Sequence, residues 1–62
     1  MQPNIRDQRL KQGLSQEQLA QLIGVDQSQI SRMERGEASI TLGTLGKIAD
    51  ALGVKTTDLI PQ

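Results

Sequence analysis

Ser15-Gln-Glu-Gln-Leu-Ala-Gln-Leu-Ile-Gly24-Val-Asp-Gln-Ser-Gln-Ile-Ser-Arg-Met-Glu-Arg-Gly36 is the stretch that decides the fold of this chain. It reads as two short helices pinched around one glycine. Ser15 with Gln18, and Asp26 with Gln29, have the spacing of a capping box, in which the side chains three residues apart satisfy each other's free backbone amides. Gly24 and Gly36 each follow a helical pattern, where a residue in the left-handed conformation commonly ends a helix. Leu19, Ala20 and Ile23 share one side of the first helix, and Ile30 and Met33 share one side of the second. Ala20 suits a point where two helices cross at a short turn, although alanine is equally a good helix former. With Ile30 and Met33 turned inward, Gln27, Ser28, Ser31, Arg32 and Arg35 face outward along one strip. Such a pair holds its second helix away from the body of the protein as a rigid polar probe.

Outward from this pair, glycine punctuation continues. Gly13 and Gly53 end two further helical patterns. The spacing predicts a first helix over roughly 3–12, with Pro3 tolerated in its opening turn. A fourth helix is predicted from Thr41 to Leu52, and a short last turn over about 56–60, stopped by Pro61. No stretch alternates apolar and polar residues as a strand does, so the reading is five helices and no sheet. Leu42, Leu45, Ile48, Ala49 and Leu52 form the longest apolar stripe and are expected to floor the core, with Ile5, Leu14, Val54 and Leu59 closing its edges. Gly43 and Gly46 lie inside the fourth helix, where each costs about 1 kcal/mol relative to alanine. They imply either the close approach of another helix or subunit, or a later helix start.

The bulk numbers bound what such a chain does. Sixty-two residues allow one domain, spanning 1–62, and a chain of this size buries only about 60% of the surface its unfolded form exposes. With no cysteine and no histidine, it has neither a disulfide framework nor the commonest metal ligands, and it lacks the usual general base. No metal or cofactor is expected. Ser15, Ser28, Ser31 and Ser39 have no histidine to activate them, so no enzyme is read here. No apolar run approaches the roughly 20 residues of a membrane span. Aromatic content is zero, which argues against the stacking platforms used for single-stranded nucleic acid. Seven basic and seven acidic side chains cancel to no net charge, whereas nucleic-acid binders usually carry a basic excess.

Residues 16–35 resemble the helix-turn-helix of the Cro/C1-type (XRE) family, which includes the lambdoid phage repressors. The matching residues are Gln16, Leu19, Ala20, Gly24, Ile30 and Met33, followed by Glu34-Arg35-Gly36. Leu45-Gly46-Lys47-Ile48-Ala49-Asp50-Ala51-Leu52-Gly53-Val54 is similar to the family's fourth helix and exit. The resemblance covers nearly the whole chain, from Ile5 to Ile60. It implies a compact all-α five-helix bundle of the lambda-repressor-like type, with the helix-turn-helix formed by helices two and three. It further implies a sequence-specific regulator that binds double-stranded DNA through a recognition helix over 27–35. The expected form is a repressor, acting as a homodimer on a pseudo-palindromic operator in the cytoplasm of a bacterium, and encoded by the bacterium or by a phage. No small-molecule ligand or membrane partner is expected.

The outward strip supplies candidate contacts. Glutamine can pair bidentately with adenine and arginine with guanine, each worth about 1–3 kcal/mol of discrimination. Gln27, Ser28 and Arg32 are therefore the expected base contacts, with Ser31 a fourth. Gln16 opens helix two, where free amides and the positive dipole end hold a phosphate. Its side chain is expected to contact the DNA backbone or, as the resemblance suggests, to brace Gln27. Arg35, Lys11, Ser39 and Thr41 complete the phosphate set. The resemblance also implies a partly buried salt bridge between Arg9 and Glu34, which makes Arg9 structural first and a phosphate contact second.

Three departures from the family's pattern bear on affinity. Glu37 stands in a loop where relatives often carry Lys or Arg. Ser39, Ile40 and Thr41 add no charge there, and Lys55 replaces the Ser or Asp expected to cap the last helix. Few basic contacts predict modest monomer affinity and a shallow salt dependence, because few counterions are released. The region around Thr56 to Pro61 is the expected dimer surface. The alternative function is a protein-interaction module, antitoxin-like or a co-regulator, that keeps the fold and has weak or no DNA binding.

Overall fold

The helical periods and glycine stops become four α-helices and one 3-10 turn in a computed structural model of the chain, which describes residues 4–60. In order they are α1 (Ile5–Lys11), α2 (Gln16–Ile23), α3 (Gln27–Glu34), α4 (Leu42–Leu52) and the 3-10 turn Thr56–Leu59. No strand occurs among the described residues. The all-α expectation holds, but the expected fifth helix is only the 3-10 turn, whose chain leaves in an extended conformation at Ile60. The expectations placed on Pro3 and Pro61 lie outside the described residues.

The helix starts follow their caps. At Ser15 the full box forms: its Oγ accepts from the Gln18 N–H at 3.0 Å, and Gln18 Oε1 accepts from the Ser15 N–H at 2.8 Å. At Asp26 only the return half forms, with Gln29 Oε1 accepting from the Asp26 N–H at 3.1 Å and no cap bond from the Asp26 side chain. Thr41 caps α4 by accepting from the Thr44 N–H at 3.2 Å, so the helix begins where its threonine predicts. Lys55 supplies no cap of its own. Asp58 does the work in reverse, its carboxylate accepting from the Lys55 N–H at 3.0 Å.

The turn between α2 and α3 depends on Gly24, whose φ of 76° is left-handed. That conformation lets the N–H groups of both Gly24 and Val25 bond the Ala20 carbonyl, at 2.9 and 3.0 Å, and satisfies the end of α2 within one residue. A side chain at Gly24 would meet no atom within 4 Å, so backbone conformation rather than space calls for glycine there.

The core is wholly aliphatic and gathers Ile5, Leu19, Ala20, Ile30, Met33, Leu45, Ile48, Ala49, Leu52 and Leu59. α2 packs on α3, while α4 packs on α1, α2 and the 3-10 turn, which makes α4 the floor. Leu14, Ile23 and Val54 are half-buried against this core, and so are Val25, Ala38, Ile40 and Ala51. Leu42 corrects the expected stripe. Burial fades toward the start of α4, from Ile48 at 0% exposed through Leu45 at 8% to Leu42 at 79%, because the first turn of the helix overhangs the edge of the core. Of the readings of Gly43 and Gly46, a later helix start and close approach by another helix among the described residues do not hold. The helix does not start late, and an added side chain would meet nothing within 4 Å at Gly46 and only Thr41 Oγ1, at 3.9 Å, at Gly43.

Candidate nucleic-acid interface

Eight residues make up α3, and its inward face is Ile30, Met33 and Glu34. Gln27, Ser28, Arg32 and Arg35 are exposed, and Ser31 is half-buried between the two faces. Gln27 and Ser28 occupy the first turn, and Arg35 is the cap residue that ends the helix. The four exposed residues thus present two amide or hydroxyl groups at one end and two guanidinium groups toward the other.

Behind this strip runs a continuous chain of polar contacts that begins in α1. Arg9 is 7% exposed and Glu34 6%. Arg9 Nε donates to Glu34 Oε2 at 2.6 Å, Nη2 donates to Glu34 Oε1 at 3.1 Å, and Nη1 donates to the Leu14 carbonyl at 2.7 Å. Gln16 Nε2 then donates to Glu34 Oε1 at 3.0 Å, and Gln27 Nε2 donates to Gln16 Oε1 at 2.6 Å. No buried side-chain nitrogen or oxygen among the described residues lacks a partner. All three nitrogens of the Arg9 guanidinium take part in these contacts, and the residue is buried. Sequence reasoning missed the Gln16–Glu34 bond. The signal was present only as two residues already paired, by resemblance, to different partners.

The periphery is thinner. Lys11, Ser39 and Thr41 are exposed, and the Thr41 hydroxyl is engaged in capping α4. Arg35 Nε donates to Glu37 Oε2 at 2.5 Å across the Gly36 turn, an ion pair on the open surface that the sequence reading did not pair up. The positive φ of 73° at Gly36 folds the chain back and sets these two side chains together. An open hollow between α2 and α4, lined by Leu22, Ile23, Lys47, Asp50 and Ala51, includes none of the candidate contact residues. No helix among the described residues is long and apolar enough to cross a membrane.

Two short helices locked around a left-handed glycine, with a polar strip on the second, match the helix-turn-helix family model over residues 5–59. This chain belongs to the Cro/C1-type helix-turn-helix family. It is 40% identical over 57 residues to a hypothetical transcription factor of Neisseria meningitidis, covering 92% of this chain and 54% of the relative. It is also 40% identical over 59 residues to the control protein C.SmaI of Serratia marcescens, covering 95% of this chain and 70% of that protein. Among solved structures, the restriction-modification controller protein C.AhdI of Aeromonas hydrophila superposes with a TM-score of 0.88 at 38% identity, over 92% of this chain and 86% of that one. The chain thus spans about half the length of the Neisseria relative and most of the length of the control protein C.SmaI and of the controller protein C.AhdI.

Proposed function

We propose that residues 1–62 form one DNA-binding domain and that it acts as a sequence-specific transcriptional regulator of double-stranded DNA, in the form of a repressor. The observation that carries this reading is the exposed strip of Gln27, Ser28 and Arg32 on a helix fixed from behind by Gln16, Glu34 and Arg9. An α-helix fits the major groove, and a side chain reads a base edge only if its own position is fixed. Gln27, Ser28 and Arg32 contact bases, with Ser31 at the margin. Gln16, Arg35, Lys11, Ser39 and Thr41 contact phosphates, and Arg9 is structural. Its relatives' descriptions, as transcription factor and controller proteins, support a regulator.

Two copies bind as a homodimer on a pseudo-palindromic operator, with half-sites about 34–36 Å apart, and block polymerase by occupancy. The surface from Thr56 to Ile60 carries the dimer contact, helped by Ile60, which is exposed. The protein works in the cytoplasm, without cofactor or catalytic role. Selection of bound sequences from a random duplex pool, repeated with Gln27→Ala and Arg32→Ala, tests the assignment. Each variant should lose preference at its own position of the site, and unchanged specificity in both removes these residues from the reading face.

A second reading, an interaction module with little DNA affinity, is favoured by the zero net charge and by the Glu37 carboxylate seated on Arg35. Retention on duplex DNA at about 50 and 200 mM salt separates the two, since phosphate contacts weaken steeply over that range. A chain that binds no duplex at the lower salt is the interaction module.

A further inference from the structure

The hollow between α2 and α4 carries two charges that the fold leaves unused. Its lining is Leu22 and Ile23 at the end of α2, and Lys47, Asp50 and Ala51 along α4. Lys47 and Asp50 are exposed, and neither side chain makes an ion pair or hydrogen bond among the described residues. Leu22 stands beside them at 60% exposed, a large apolar side chain on the outer face that α2 otherwise fills with Glu17, Gln18 and Gln21. Gly43 and Gly46 lie one turn apart in the same helix as the two charges, and an added side chain at either would meet nothing closer than 3.9 Å. The backbone of α4 next to Lys47 is therefore bare and open to close approach from outside. The surface combines an apolar centre with one positive and one negative charge.

We propose that this face recognises a second copy of the chain: α4 pairs with α4 of the other copy in antiparallel order about a two-fold axis, a contact separate from the surface at Thr56 to Ile60. A two-fold contact needs a patch that is complementary to itself. Lys47 and Asp50 are neighbours one turn apart on the helix surface. An axis passing midway between them sets each Lys47 opposite the partner's Asp50, so both ion pairs form at once. Gly43 and Gly46 let the two backbones approach, and Leu22 of each copy enters the hollow of the other. A site for a polyanion would carry one sign of charge, and a peptide of one sign would leave either Lys47 or Asp50 unmatched. A second copy satisfies both. The chain has no net charge, so long-range repulsion does not oppose the approach. The patch is smaller than the roughly 20–30 residues that each side of a standard interface contributes, so the association is weak and reversible. It acts most where copies are already held close, at effective concentrations of about a millimolar.

Sedimentation equilibrium of the chain without DNA, at concentrations from about 1 µM to 1 mM, reads the association. The samples are the wild type, Lys47→Asp, Asp50→Lys, an equimolar mixture of those two, and Leu22→Gln, with folding followed by circular dichroism. All three positions are exposed, so the variants keep the fold. The wild type should gain mass across the range. Each charge reversal sets like charges opposite each other twice and should raise the dissociation constant about tenfold or more. The mixture should recover the wild-type association, because one variant then offers two acidic side chains to two basic ones on the other. A residue that merely supports the fold gives no such recovery. Leu22→Gln should weaken the association by about tenfold, through the lost apolar burial. Pairing through Thr56 to Ile60 is common to all five samples, so differences among them report this face alone. A wild type that holds one mass across the range overturns the proposal and leaves the hollow to a different partner. So do single variants that associate like the wild type, or a mixture no better than its components.

Discussion

Arg9 and Glu34 share two hydrogen bonds while both are more than nine-tenths buried, so either one alone is a stranded charge. Removing one partner of such a pair costs about 3–5 kcal/mol, whereas replacing both by apolar side chains of similar volume is often neutral. A chain of this length has a total stability on the order of 3–9 kcal/mol. Glu34→Ala is therefore expected to be largely unfolded or to melt far below the wild type, and Arg9→Met with Glu34→Met to recover most of the loss. Urea titration followed by far-ultraviolet circular dichroism measures both, and an Ala variant as stable as the wild type would contradict the account. At this scale the sequence was partly legible. The pair spans 25 residues in sequence, and only the resemblance to known repressors linked its members. The Gln16–Glu34 bond was not legible, because which of several neighbours a glutamine chooses depends on rotamers set by packing.

Among the elements, boundaries were legible wherever a side chain or a glycine fixes them locally. Ser15, Asp26 and Thr41 precede α2, α3 and α4, and Gly24 and Gly53 close α2 and α4 with φ of 76° and 68°. The reach of the core was less legible, as Leu42 shows: periodicity tells which face of a helix is apolar, not how far the neighbouring elements extend along it. Gly43 and Gly46 sit in α4 with open space where a side chain would go. Exchanging each for alanine should therefore stabilise the fold by about 0.5–1 kcal/mol, by reducing the freedom of the unfolded chain and raising helix propensity. Thermal melts of the single and double variants check this. A loss of stability at either site would mean that something outside this chain's own fold needs the bare backbone. The residue after each helix-ending glycine shows another regularity. Leu14, Val25 and Val54 are half-buried on the core and bond back to the carbonyl five residues earlier, and Glu37 makes the same backbone bond to Arg32 but points an acid outward instead.

For the whole molecule, charge outweighs shape. The fold was readable from the stretch 15–36, but how strongly it holds a polyanion depends on the sum of charges, and that sum is zero. Glu37 occupies Arg35 in the way a phosphate oxygen would. Glu37→Lys removes one negative charge and adds one positive, moving the net from 0 to +2. It is expected to tighten duplex binding and to steepen the slope of log affinity against log salt by roughly one to two per copy. Titrations across about 50–200 mM salt read the slope directly, and an unaltered slope would remove Arg35 from the phosphate contacts. Shape contributes differently, through the bond from the Asn4 N–H to the Leu59 carbonyl at 2.8 Å. That bond brings the first and last described elements together and makes the chain topologically almost a ring. The core does not depend on where a ring is cut. A short bridge from residue 60 to residue 4, with new ends opened at exposed Ser39, between the half-buried Ala38 and Ile40, is expected to preserve every helix, every cap and the whole path from Arg9 to Gln27. The order in which the gene writes α1 and the 3-10 turn is thus a matter of continuity, and the reading helix is indifferent to it.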